Sequence, residues 1–374
     1  MPASERPLRV LFLSRRYPPS LGGAQTHSYK LYTYLSQHMD VTLVALRRQS
    51  LLHLAWFMPW AWLRAAVSLL LGRVDVVYFA DGVTAAAAVG LGPLRRRARL
   101  VGTIYGLEMT FGNAAARCLM RAGALRCDGI AVISENSKRL AADWGLPPER
   151  MRLIYVGVEP PHLDAGRLAE VRADFEAEHN LVFERDRVVH NIGRQVARKG
   201  VADFVEQGMP LLDADIRLVI VGSGPEAERL AAARQRLDDP QRVLLLGPQD
   251  DDTCAMLRAC CDLFLMPNVP KSDDVEGYGI APLEAMYSGT PVVAFAVDAL
   301  VEAVREGGWL IPSGDYAGFA AAVHAFYQLD EPQRRAAGEA AREYCLREYG
   351  WERSASKYAA LFAELTSTGD GAPS

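Results

Sequence analysis

The chain has 374 residues, half of them hydrophobic and 23% charged, an ordinary soluble globular composition large enough for two domains. Its net charge of −4 hides an asymmetry: residues 1–160 hold 20 Lys and Arg against 10 Asp and Glu, and the remainder hold 21 against 35. A basic first half calls for an anionic partner, and because its cations are almost all Arg without interleaved aromatics, a membrane surface is expected and nucleic acid is not.

Residues 9–13 form a short apolar run that predicts a buried parallel strand, followed by Gly22-Gly23 and a helical pattern over 24–35. A double glycine at a helix start lets backbone approach a phosphate, and it equally serves as a plain turn. Residues 41–46, 74–79, 100–104 and 129–133 predict further strands with helical stretches between them, which argues a doubly wound sheet. Residues 51–72 are apolar, with three tryptophans. Pro59, Arg64 and the alternating strands on either side argue against a membrane span. His53, Arg64 and Ser68 share one helical face, and two readings stay open: burial against the sheet, or residence in a membrane interface. Thr103 to Glu108 follows a strand at the end where such sheets bind ligands, and Gly157-Val158 reads as the exit from the first domain.

The second half repeats the logic. A strand over 187–192 leads to Arg194 and Lys199, two cations suited to a diphosphate, or else an ordinary solvated pair. A strand over 216–221 runs into Gly222-Ser223-Gly224, which is not GxGxxG and so argues against a dinucleotide. Strands over 243–246, ending in Gly247, and over 263–266 come next. Residues 273–294 then read as loop, helix and strand: Gly277 and Gly279 break the pattern, Pro282 marks the first helical turn and Gly289 the stop. This places Glu276 in the loop and Glu284 in the first turn. Backbone amides from Gly279 to Ala281 would hold a phosphate bracketed by the two carboxylates, which accept hydrogen bonds from sugar hydroxyls. The plainer reading makes Glu284 a dipole partner and Glu276 a solvated loop charge. The six cysteines form no CxxC pair or metal-ligand spacing, and no signal peptide is evident, so free thiols in a reducing cytoplasm are expected.

Taken together, Gly22-Gly23, GRQVARKG (193–200), VGSGP (221–225), LLLGPQ (244–249) and EGYGIAPLEAMYSGTPVVA (276–294) resemble the retaining glycosyltransferases of family 4 over nearly the whole chain. The resemblance implies an α/β architecture of GT-B type, two Rossmann-like doubly wound domains facing across a cleft. Residues 1–160 would bind the acceptor and residues 161–350 the nucleotide sugar, with a C-terminal helix within 351–374 crossing back to the first domain. It also implies that Arg194 and Lys199 hold the donor diphosphate, that Glu276 faces the transferred sugar and that Glu284 binds the ribose hydroxyls. Gly22 and Gly23 would approach the diphosphate, Gly222, Ser223, Gly224 and Gly247 would line the nucleotide pocket, and Tyr105, Gly277, Tyr278, Gly279 and Ile280 would complete the donor site.

Two departures from the family pattern stand out. Tyr105 occupies the place where relatives commonly carry the histidine of T-x-H-G, and Phe295 to Leu300 replaces a glycine-rich turn followed by glutamate. The resemblance implies transfer from a nucleoside diphosphate sugar to an acceptor hydroxyl with retention, by a front-face reaction that needs neither metal nor cofactor. The expected acceptor is lipid-linked or a cell-envelope glycan, and the expected location is cytoplasmic, peripheral on the inner face of the plasma membrane. The alternatives are a sugar-nucleotide epimerase of the same architecture and a catalytically silent partner subunit.

Overall fold

Apolar runs of four to six residues can be buried on both faces only if helices cover both sides of a parallel sheet, and the chain builds two such sheets. The structure, a computed structural model, describes residues 6–19, 23–47, 50–106, 108–109, 111–271 and 278–367. It divides into two units, Met1–Gly157 with Trp351–Ser374, and Val158–Gly350.

In the first unit β1 (Arg9–Ser14), β2 (Asp40–Ala45), β3 (Val76–Phe79), β4 (Arg99–Ile104), β5 (Gly129–Val132) and β6 (Met151–Leu153) pair in parallel in the order β2-β1-β3-β4-β5-β6. Helices α1 (Gly23–Leu35), α2 (Leu51–Leu70), α3 (Gly82–Ala85), α4 (Ala114–Ala124) and α5 (Glu135–Asp143) connect them. The open question about residues 51–72 resolves by face. Phe57, Ala61, Ala65 and Leu69 of α2, four residues apart, are buried in one cluster with Leu11, Leu13 and Val77 of the sheet. Trp62 also turns inward, its indole N–H donating to Val89 O at 3.1 Å. Leu52, Trp56, Trp60, Leu63, Val67 and Leu70 face outward and are 40–82% exposed. Among the described residues no helix is long and apolar enough to cross a membrane.

In the second unit β7 (Arg187–Ile192), β8 (Ile216–Val221), β9 (Val243–Gly247), β10 (Leu263–Met266), β11 (Val292–Phe295) and β12 (Gly308–Ile311) form a parallel sheet in the order β12-β11-β10-β7-β8-β9. Its helices are α6 (Ala165–His179), α7 (Val201–Gln207), α8 (Ala227–Gln235), α9 (Asp251–Cys260), α10 (Ile280–Tyr287), α11 (Leu300–Ala303), α12 (Tyr316–Gln328) and α13 (Glu331–Tyr349). The last helix, α14 (Trp351–Ser367), belongs to the first unit. A buried hydroxyl chain ties it to that sheet: Tyr78 Oη lies 2.6 Å from Thr103 Oγ1, which lies 2.9 Å from Tyr358 Oη. Glycine is needed where the helix starts, since a Cβ at Gly157 would stand 2.3 Å from the Trp351 indole.

Each unit buries a neutral histidine. His27 and His190 are 2% and 0% exposed, and burial pulls both pKa values down from 6.5 to about 3. Below pH 6.5 the unfolded chain binds protons that the folded imidazoles refuse. Stability is therefore fully present above that pH and falls on acidification, by up to about 1.4 kcal/mol per pH unit for each histidine, until the pH approaches 3. Thermal melts from pH 7 to pH 4 are expected to show this decline, and His190→Leu should flatten the share that belongs to the second unit.

Candidate active site

Parallel sheets bind ligands beyond the carboxyl ends of their strands, where the strand order reverses. In the second unit that point lies between β7 and β10, because β8 and β9 continue to one side and β11 and β12 to the other. The loop carrying Arg194 and Lys199 leaves β7 there. It is braced on one side by the turn after β8: Gln195 N donates to Ser223 O at 3.0 Å and Glu226 N to Gln195 O at 3.0 Å. Gly222 and Gly224 owe their identity to this crossing, since a Cβ on either would stand 2.0 Å from Gly193 O or 2.1 Å from Gln195 O. The second glycine turn thus has a packing reason of its own, while Ser223 stays exposed. Gly247, at φ +65, ends β9 and accepts from Gly222 N at 2.8 Å.

The other brace comes from the segment after β10. Val269 N donates to Arg198 O at 2.9 Å, and Gly200, at φ +62, passes so near Pro267 O that a Cβ would stand 2.0 Å from it. Arg194 is exposed and forms no ion pair with any described residue, and Lys199 is half-buried on the same loop. Fixing the backbone of this loop removes conformational freedom that a bound anion would otherwise have to quench.

α10 follows β10, the strand next to β7. Gly279 is its N-cap at φ +74 with no side-chain cap, and Tyr278 before it is half-buried against Tyr349, ring centroids 6.3 Å apart. Pro282 is the third helical residue and has no N–H, so the donors at this end with no partner among the described residues are the amides of Gly279, Ile280 and Ala281. By contrast α2, α4, α5, α6, α9, α12 and α13 all start with a side chain bonded to a first-turn amide. The uncapped amides and their partial positive charge suit an anion. Glu276 and Gly277 lie outside the described residues, as does Gly22.

Glu284 stands in the second turn of α10, which corrects the first-turn expectation; Gly279 as N-cap moves it to the fifth helical position. It is therefore not a dipole partner. Arg258 of α9, with a side chain only 9% exposed, donates from Nη2 to Glu284 Oε2 at 2.9 Å, while its own Nη1 is buried with no hydrogen-bond partner. Burial pushes the Glu284 carboxyl above its usual range and the Arg258 charge opposes this. One oxygen is thus committed to Arg258 and the other remains to accept from a ligand. Arg258 was missed in the sequence reading. Its one signal there is a cation in the last turn of a helix, directly after the apolar run Cys254 to Leu257.

In the first unit the order reverses between β1 and β3. Gly23, exposed, opens α1 beyond β1. Arg15 Nε meets Asp81 Oδ2 at 2.8 Å. Tyr105, beyond β4, does not present a free phenol: its Oη is hydrogen-bonded to His27 Nδ1. Glu108, buried, staples the neighbouring turn, accepting from Gly106 N at 2.9 Å and Gly82 N at 3.2 Å, and burial raises its pKa. A Cβ at Gly82 would stand 2.4 Å from the Glu108 side chain, so that glycine serves the staple. Among the described residues no group of three or more His, Cys, Asp or Glu is arranged to hold a metal, and all six cysteines are free thiols.

Two six-stranded parallel sheets of this order, one in each unit, are the two Rossmann-like domains of a GT-B architecture. A family model described as Glycosyltransferase Family 4 matches residues 21–161, and one described as Glycosyl transferases group 1 matches residues 186–328. The GDP-mannose-dependent alpha-(1-6)-phosphatidylinositol monomannoside mannosyltransferase of Mycolicibacterium smegmatis is 30% identical over 311 residues, 79% of this chain and 78% of that protein. The uncharacterized glycosyltransferase MJ1607 of Methanocaldococcus jannaschii is 28% identical over 191 residues, 50% of this chain and 47% of its own length. Among solved structures, HepE of Anabaena in complex with UDP aligns at a TM-score of 0.72 over 96% of this chain and all of that one, with 19% identity, a likeness of fold. The chain belongs to the family 4 glycosyltransferases.

Proposed function

We propose that the protein is a retaining hexosyltransferase that moves a sugar from a nucleoside diphosphate sugar to a hydroxyl of a lipid-linked or cell-envelope glycan acceptor. The observations that carry this reading are the loop bearing Arg194 and Lys199 at the second sheet's switch point, braced from both sides, and the start of α10, without a side-chain cap, beyond the neighbouring strand β10. The relative's name supports the donor and acceptor classes: that protein is GDP-mannose-dependent and acts on a phosphatidylinositol monomannoside.

In this reading Arg194, Lys199 and the α10 amides stabilise the charge that develops on the diphosphate as its bond to the anomeric carbon breaks. The β-phosphate oxygen takes the proton of the acceptor hydroxyl, and the new C–O bond forms on the face the diphosphate leaves. Glu284 binds the ribose hydroxyls, and Glu276 is assigned to the transferred sugar by the family resemblance. Ser223 and Gly247 line the nucleotide pocket of the second unit, and the family resemblance assigns Gly23 and Tyr105 to donor binding. Fixed cations and dipoles serve in place of a metal, so EDTA leaves the rate unchanged. The enzyme works on the cytoplasmic side, at the inner face of the plasma membrane.

Product analysis tests this. Incubation with UDP-, GDP- and ADP-hexoses and a membrane lipid extract is expected to yield a glycosylated acceptor whose anomeric configuration, read by NMR, matches that of the donor. An inverted product, or an epimerised donor with no transfer, would overturn it.

A further inference from the structure

Seven of the fifteen large hydrophobic side chains exposed among the described residues lie between Leu52 and Leu71. At 3.6 residues per turn, the six that belong to α2, namely Leu52, Trp56, Trp60, Leu63, Val67 and Leu70, fall within an arc of about 80°. Trp56 and Trp60 pack ring to ring at 6.1 Å on that arc, each also against the buried Phe57 ring, and stay 54% and 41% exposed. The helix is thus apolar on two faces, the inner one spent on the sheet. A contiguous outer stripe of this kind marks an interaction surface.

The charge around it selects the partner. Residues 41–74 contain Arg47, Arg48, Arg64 and Arg73 and no Asp or Glu. Arg64 and Arg73 are exposed, Arg64 on the edge of the stripe. At the far end of the helix the Arg96 guanidinium lies 3.8 Å from where a Cβ on Gly72 would stand, and Arg97 beside it is exposed. A second copy seated on the stripe about a two-fold axis would set these arginines against their own equivalents. A neutral protein surface would leave them unmatched. Lipid meets both demands: tryptophans and leucines enter the acyl boundary, where tryptophan is favoured, while the arginines meet anionic headgroups.

We propose that the outward stripe of α2 lies in the plane of an anionic bilayer and docks the first unit on it, with Trp56, Trp60, Leu63 and Val67 inserted and Arg64, Arg73 and Arg96 at the headgroups. The proposal sharpens the membrane partner expected from composition into one helix face. It does not depend on the transferase reading, because it is tested without any sugar nucleotide. The full chain is mixed with vesicles of phosphatidylglycerol and phosphatidylcholine in 50 mM and 500 mM NaCl, with phosphatidylcholine vesicles alone as reference. The protein is expected to sediment with the anionic vesicles at low salt and to lose most of that binding at high salt, and brominated acyl chains are expected to quench its tryptophan fluorescence. Trp60→Gln with Leu63→Gln and Val67→Gln should weaken binding at least tenfold and abolish the quenching while the melting temperature holds. Arg64→Glu, a single surface change, should weaken binding to anionic vesicles several-fold. Protein left in the supernatant, unchanged binding by the triple variant, or a dimer that the triple variant dissociates would each overturn the proposal, the last by making the stripe a contact between copies.

Discussion

Replacing Arg194 by alanine is expected to lower kcat by roughly a hundredfold or more, about 2.7 kcal/mol of transition-state stabilisation, and to leave the melting temperature within a degree or two. The two halves of that expectation come from different facts. Arg194 is exposed and forms no ion pair with any described residue, so the fold loses little without it. The loop that carries it has its backbone held by hydrogen bonds from both neighbouring turns, at the switch point where the proposed function puts the leaving diphosphate. Lys199→Ala should show a comparable kinetic loss. Because the charge grows along the reaction, kcat falls more than KM rises. Wild-type turnover in either variant would remove that residue from the site.

The second large effect concerns the Arg258–Glu284 pair. Glu284→Ala should weaken binding of the bare nucleoside diphosphate about tenfold or more, through loss of the ribose contact. It should also destabilise the second unit, because it strands a guanidinium that is 9% exposed. Breaking a fully buried pair costs about 3–5 kcal/mol. Glu284 is a quarter exposed, so about 2 kcal/mol is expected here. Adding Arg258→Met should restore the stability and not the affinity, which separates the two roles. Glu276→Ala should spare the bare diphosphate and weaken the intact donor. Equal loss of diphosphate affinity in the Glu276 and Glu284 variants would contradict their assignments.

Much of the fold was legible because its inner strands are mostly apolar runs, and those of β7, β8 and β10 stop at a glycine or a proline. These three begin and end at the expected residues, although β7 also buries His190 and Asn191. The edge strands β6 and β12 escaped. Met151-Arg152-Leu153 is three residues with an exposed arginine, and Gly308 to Ile311 is half-buried throughout and follows a second glycine that reads as loop. Neither edge needs the double-sided burial that makes an inner strand visible. The site was legible in its glycines and cations but less so in its pairings. Pro282 does lie in the first turn of α10, but Glu284, two residues on, falls at the fifth helical position and so in the second turn. Its partner Arg258 is 26 residues away on α9, and what brings them together is the sheet order, which runs β10 between β7 and β11. The His27–Tyr105 contact spans 78 residues and was hidden for the same reason. Residues 51–72 were ambiguous because both faces of α2 are apolar, and no periodicity separates a helix with one buried face from a helix with two uses.

The central claim is that the second unit holds a nucleoside diphosphate through Arg194, Lys199, the start of α10 and Glu284. Titrating UDP, GDP and ADP into the purified chain while following its melting temperature tests this most directly, because a ligand that binds only the folded state must raise it. One of the three should raise the melting temperature by several degrees at millimolar concentration, its monophosphate should do much less, and Arg194→Ala should remove the difference. No rise with any of the three, or a rise undiminished in Arg194→Ala and Glu284→Ala, would contradict the account.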